Sequence, residues 1–125
     1  MILCDTNILI ETYRKNLAVI SALNTIMQND TMAISDVVRA EMLIGARNKD
    51  EMQTLLKELG QIQCLPIQSA ISTLSINLLK QYRLSHNLDF HDALIAATAI
   101  HHNIKLYTLN TKDFVFIDGI TLLTF

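Results

Sequence analysis

The feature that most constrains this chain is a set of short apolar runs that do not alternate with polar residues. Ile2-Leu3-Cys4 ends abruptly at Asp5, and Met32-Ala33-Ile34 ends at Ser35. A strand with one wet face alternates with a period of two, whereas a run that is apolar at every position is buried on both faces. Gln63 to Leu65, stopped by Pro66, Lys105 to Leu109, and the tail Ile120 to Leu123 read as further strands. Between them lie segments of helical period. Asn7 to Arg14 and Leu17 to Gln28 form the first two, with Leu17, Ile20, Leu23 and Met27 expected on the buried face of the second. Ser35 offers an N-cap for a helix through about Ala46, Asp50 to Leu59 is closed by Gly60, and Ala70 to Leu84 is a fifth helix. Asp89 caps a sixth and very apolar one, His91 to His102, which Asn103 ends.

Strands alternating with helices predict an α/β fold: a three-layer α/β/α sandwich around a mostly parallel sheet of four or five strands, one domain over residues 1–125. Hydrophobic residues make up 50% of the chain and charged ones 18%, with 3 Gly and 1 Pro, so a full core is expected without disulfides or structural metal. The longest apolar stretch, Ala93 to Ile100, is too short to span a bilayer, and Asp5 and Glu11 interrupt the N-terminus where a leader would be apolar. Cys4 and Cys64 lie far apart in apolar contexts and read as buried thiols of a cytoplasmic protein. The net charge of −2 argues weakly against nucleic acid as a partner, but two divalent cations held by carboxylates would reverse that sign.

In an open parallel sheet, ligands gather at the carboxyl ends of the strands. Asp5 directly follows the first strand, with Thr6 and Asn7 behind it, and capping of the first helix is its alternative role. Glu41 lies among Val37, Val38, Ala40, Met42, Leu43 and Ile44, where a carboxylate is expected to be partly buried; an ion pair with Arg39 or Lys49 suits the helical spacing poorly. Asp92 opens the run Ala93-Leu94-Ile95-Ala96-Ala97, and with Asp89 as the better cap it is left to point elsewhere. Asn110 and Asp113 follow the Lys105 to Leu109 strand, where a turn is the alternative. Several carboxylates gathered at one sheet edge repel unless a cation sits among them, and oxygen-only ligands suit Mg²⁺ or Mn²⁺.

Other chemistries find little support. His86, His91, His101 and His102 lack zinc-ligand spacing and read as surface or capping residues. There is no phosphate-binding glycine loop and no nucleophile elbow. Met27, Met32, Met42 and Met52 read as packing residues, and Lys80 and Arg83 beside Tyr82 as a solvated helix face.

At these acids the sequence resembles the PIN-domain family, in its small VapC-type branch of prokaryotic toxin–antitoxin pairs. Ile2-Leu3-Cys4-Asp5-Thr6-Asn7-Ile8-Leu9-Ile10 is similar to the first family motif, and Ile34-Ser35-Asp36-Val37-Val38-Arg39-Ala40-Glu41-Met42-Leu43-Ile44-Gly45-Ala46 to the second. Asp92-Ala93-Leu94-Ile95-Ala96-Ala97-Thr98-Ala99 resembles the third, and Leu106-Tyr107-Thr108-Leu109-Asn110-Thr111-Lys112-Asp113-Phe114 the fourth. The resemblance covers essentially the whole chain. It implies that Asp5, Glu41 and Asp92 are the metal-binding acids of a Mg²⁺- or Mn²⁺-dependent endoribonuclease. Many relatives carry Asp where this chain has Asn110, so Asp113 is the expected fourth acid, with Asp89 as the outside choice. Thr6, Asn7, Thr108 and Asn110 take the supporting positions, and Arg39, Arg47, Lys49 and Lys112 are the expected phosphate contacts. Metal-activated hydroxide would attack an RNA phosphodiester in line, leaving a 3′-hydroxyl and a 5′-phosphate. The partners implied are RNA, an antitoxin peptide and a second copy of the chain, docking on the helices Asn7 to Gln28 and Asp50 to Leu59.

Two alternatives remain at this level: a non-catalytic α/β interaction domain, and a receiver-like phosphoacceptor domain. The second needs an acidic pair after the first strand, and here Thr6 follows Asp5.

Overall fold

Four of the five strand-like runs become the four strands of one sheet in a computed structural model that describes residues 1–123. They are β1 (Ile2–Cys4), β2 (Met32–Ser35), β3 (Gln63–Leu65) and β4 (Lys105–Tyr107), in the spatial order β3-β2-β1-β4. Every pairing is parallel: Ile2 sits opposite Met32 on one side and Lys105 on the other, Cys4 opposite Tyr107, and Ser35 opposite Leu65. All three residues of β1 are buried, as a central strand covered on both faces requires.

The connecting helices are α1 (Thr6–Tyr13), α2 (Leu17–Ile26), α3 (Asp36–Ile44), α4 (Lys49–Leu59), α5 (Ser69–His86) and α6 (Phe90–His102). Their starts follow local chemistry. Asn16, Ser35, Asn48 and Asp89 each accept a hydrogen bond from a backbone N–H in the first turn of the helix they open. α5 and α6 stop where Asn87 and Asn103 take the left-handed conformation, at φ of 56° and 52°, which asparagine tolerates better than most residues. α6 is buried from Ala93 through Ala99 and packs along α5 and against α3 and β4. A helix apolar on every side needs neighbours on every side, and this one has them.

Three expectations change. The stretch Lys105 to Leu109 is a strand only as far as Tyr107, because the Thr108 hydroxyl accepts the Asn110 N–H at 3.1 Å and turns the chain. The tail makes a single parallel bridge, Leu122 to Leu106, on the open side of β4 instead of a fifth strand. On α2 the buried stripe is Val19 and Leu23, with Ala22 and Ile26 packed beside it, while Leu17 and Met27 are exposed. The stripe is rotated from the expected face because only Val19, Leu23 and their neighbours reach the core; Met27 is therefore not a packing residue.

The chain runs outward from β1 through β2 to β3, then returns to place β4 on the other flank of β1. The strand order thus reverses between β1 and β4, and the loops that leave their carboxyl ends diverge there to open a crevice. Asp5 and Thr108 stand at the mouths of those two strands.

Candidate active site

Asp5 leaves the sheet edge as the N-cap of α1, its Oδ1 accepting the Thr6 N–H at 2.8 Å. Capping and a functional role are therefore not alternatives, since only one oxygen is used for the cap. Oδ2 accepts the Thr108 hydroxyl at 2.8 Å and the Asn7 side-chain amide at 3.3 Å. Asn7 ties the two strand ends together further, donating to Thr108 Oγ1 at 3.2 Å and accepting the Leu109 N–H at 3.2 Å. Asp5 is 6% exposed, and its carboxylate is held in one orientation by neutral donors.

Glu41, half-buried on α3, reaches this rim through Thr6, whose hydroxyl donates to Glu41 Oε1 at 2.8 Å. The same oxygen meets His91 Nε2 from the first turn of α6. His91 Nδ1 lies 3.7 Å from Asp92 Oδ1, and the Asp92 N–H donates to Asp89 Oδ1 at 2.8 Å. Ligand atoms of Asp89, His91 and Asp92 all fall within 4.8 Å of one another. His91, read from the sequence as a surface or capping residue, is thus the bridge between α3 and α6. The sequence signal for this role is its place inside Asp89-Phe90-His91-Asp92, one residue before a candidate site acid.

Asp113 closes a 3₁₀ turn (Thr111–Asp113), its N–H donating to Asn110 O at 3.0 Å. The turn reading is correct for its backbone, while its side chain contributes to the charge around Asp92. Burial pushes the Asp92 carboxyl up to about 6; Asp89, Asp5 and Asp113 add to that rise, and His91 opposes it. Asn110 serves through its backbone, joining Thr108 to Asp113.

The structure therefore brings Asp5, Glu41, Asp89, Asp92 and Asp113 to one edge. Among the described residues no Lys or Arg pairs with any of them; the Arg–Glu ion pairs are Arg14–Glu11 and Arg47–Glu51. Carboxylates without a Lys or Arg partner, from buried Asp5 through half-buried Glu41, Asp92 and Asp113 to exposed Asp89, form a hard-oxygen donor set of the kind that suits a small divalent cation. The donor set fits the expected metal on this ground.

The expected phosphate contacts are scattered. Arg39 lies beside Cys64, whose thiol donates to Asp36 Oδ1 at 3.0 Å, at the β3 edge of the sheet. Lys49 and Lys112 are exposed. Arg47 lines a cleft of about 610 Å³ together with Thr6, Glu41, Ile10, Tyr13 and Arg14, although its guanidinium Nε is 2.8 Å from Glu51 Oε1. Arg14 is a cation that the sequence pattern did not single out. It comes to share a cleft with Glu41 only when α1 packs against α3.

A family model of the PIN domain matches residues 2–118, and the chain belongs to the PIN-domain family. Ribonuclease VapC10 of Mycobacterium tuberculosis is 34% identical over 115 residues, covering 91% of this chain and 86% of that protein. A toxin–antitoxin complex from Klebsiella pneumoniae contains a chain that superposes with a TM-score of 0.81 at 32% identity, covering 97% of this chain and 96% of that one. VapBC2 from Rickettsia felis, solved bound to a DNA fragment from its promoter, superposes with a TM-score of 0.82 at 26% identity over 100% of this chain and 99% of that one. The receiver-like and interaction-domain alternatives are not favoured.

Proposed function

We propose that this chain is a metal-dependent endoribonuclease of the VapC type, the toxin of a toxin–antitoxin pair. The observation that carries the reading is the collection of carboxylates at the β1–β4 crevice, with no Lys or Arg among the described residues to neutralise them. Similarity to ribonuclease VapC10 and to toxin–antitoxin complexes supports the same reading.

Asp5, Asp92, Glu41 and Asp113 are the residues that would hold Mg²⁺ or Mn²⁺, with Asp89 beside them. A divalent cation held there would polarise a phosphodiester and lower the pKa of water at the site. The chain's own residues supply orientation. Thr6, Asn7 and Thr108 fix both oxygens of Asp5, so this ligand loses little freedom on binding. Thr6 and His91 both engage Glu41 Oε1, which leaves Oε2 to face the cation directly or through a water. Arg14 and Arg47 line the cleft that Glu41 also lines and are the cations there for an RNA phosphate. The products of this chemistry are a 3′-hydroxyl and a 5′-phosphate.

The same cleft, walled by Ile10, Tyr13, Met42 and Leu55 between α1, α3 and α4, is a groove for an antitoxin segment. Exposed Leu17 and Met27 on α2 and Leu56 on α4 supply apolar surface for a homodimer. Free thiols at Cys4 and Cys64 suit a reducing cytoplasm. Among the described residues no helix is long and apolar enough to cross a membrane.

The test is cleavage of RNA by purified protein with Mg²⁺, with EDTA, and with Asp92→Asn. Cleavage that needs Mg²⁺ and is lost in the variant is expected. Equal cleavage by the variant, or cleavage indifferent to EDTA, would overturn the reading. Light scattering is expected to give a dimer, and a monomer that remains so at high concentration would refute that part.

A further inference from the structure

The acids of the site come from separate segments of the chain, and two loops that carry or lead into them converge on the last turn of α5. The loop after β4 carries Asp113 and runs on as a series of tight turns: Phe114 and Val115 both donate to Thr111 O, and Ile117 donates to Phe114 O. Its far end meets Tyr82. The Asp118 N–H donates to the Tyr82 phenol oxygen at 3.0 Å, and Phe116 packs edge-on to the Tyr82 ring at 5.3 Å between centroids. His86, one turn later, completes a three-ring cluster, stacked 4.2 Å from Phe116 with the planes 11° apart and edge-on to Tyr82 at 5.9 Å. The second loop carries Asp89 into α6. Arg83 Nη1 donates to Leu88 O at 3.2 Å and Asn87 O at 3.5 Å, spanning the left-handed turn just before Asp89.

We propose that Tyr82 and Arg83 are positioning residues that set the distance between the Asp113 and Asp89–Asp92 arms of the site, and so its affinity for a divalent cation. The inference rests on the metal-centre reading above. Neighbouring residues on a helix point about 100° apart. Tyr82 and Arg83 can therefore grip different loops from one rigid turn. The buried side chains of Phe114 and Ile117 already hold the first loop against the core, but apolar contacts have no direction. The phenol oxygen adds a directional tie, and it fixes the rotation of the turns that aim Asp113. A site of several carboxylates is sensitive to such aim, because supporting groups around a metal site change affinity when they are lost.

Tyr82→Phe removes the phenol oxygen and keeps the ring contacts. Asp118 is exposed, so water takes the place of the phenol at its N–H and stability barely moves. Mn²⁺ binding, followed by electron paramagnetic resonance of the free ion, is expected to weaken about fivefold in Tyr82→Phe, the scale of one hydrogen bond. Arg83→Gln is expected to weaken it by a similar or smaller factor. RNA cleavage by Tyr82→Phe is expected to fall at limiting Mg²⁺ and to recover at saturating Mg²⁺, a rescue that general destabilisation would not give. Unchanged Mn²⁺ affinity in both variants would overturn the proposal, whether or not the urea midpoint falls. Wild-type protein that takes up no Mn²⁺ would instead overturn the metal-centre reading, and this inference with it.

Discussion

Asp5 and Asp92 stand on opposite rims of one crevice and are held in opposite ways. Asp5 is surrounded by neutral donors, one backbone N–H, one hydroxyl and one amide, and these fix both of its oxygens. Asp92 has buried surroundings and three other carboxylates in its field, with His91 as the one opposing group. The first is a carboxylate built into the scaffold, finished when the fold is finished. The second is an unresolved repulsion, and a cation would remove it. In the proposed metal centre one rim would supply rigidity and the other demand.

The largest expected effect treats the two rims alike. Asp5→Asn and Asp92→Asn should each lower Mg²⁺-dependent RNA cleavage by about 100-fold or more, since each removes a ligand charge. A variant retaining wild-type turnover would remove its residue from the site. Asp113→Ala comes next. It should raise the Mg²⁺ concentration for half-maximal cleavage by about tenfold with little change in melting temperature. A fall in melting temperature with an unchanged metal requirement would make Asp113 a turn residue only.

Stability should then separate the rims. Asp5→Asn sets an amide N–H₂ against donors and should cost about 1–2 kcal/mol in urea unfolding. Asp92→Asn removes a repelled charge and should gain about 1 kcal/mol at neutral pH without metal, after discounting for solvent screening. Equal losses in the two variants would erase the distinction between rigidity and demand.

The smallest effect is in pH dependence. A carboxyl raised from 3.8 to about 6 binds its proton more tightly in the folded state. Its favourable contribution is therefore complete below 3.8 and disappears as the pH rises through about 6. Metal-free wild type and Asp92→Asn should have similar stability in acid, then diverge across this window in favour of the variant, and stay apart above it. Saturating Mg²⁺ should close the gap. A gap independent of pH would mean that the Asp92 charge is already neutralised by its neighbours.

Much of this was present in the sequence, and the parts that were not share a cause. Strands, caps and helix ends are decided within a few residues, so Ile2–Cys4, the Ser35 and Asp89 caps and the stop at Asn103 were legible from local chemistry. Asp5 and Asp92 stood out because a charge beside a continuous apolar run is costly unless it has a partner. The rotated face of α2, the bridging of Glu41 by His91 and the nearness of Arg14 to the cleft were not legible. Each depends on the angle at which one helix meets another, and local periodicity carries no such angle. The expected fourth acid follows the same rule. Sequence placed Asp113 after the strand, but only the packing of its turns between β4 and α5 brings its charge to Asp92. By itself the sequence determined which elements form and which acids sit at their ends, because those are short-range matters of burial and capping. The tertiary structure alone decided which side chains share a field, because electrostatic and hydrogen-bonded neighbours are set by distance in space and not by distance along the chain.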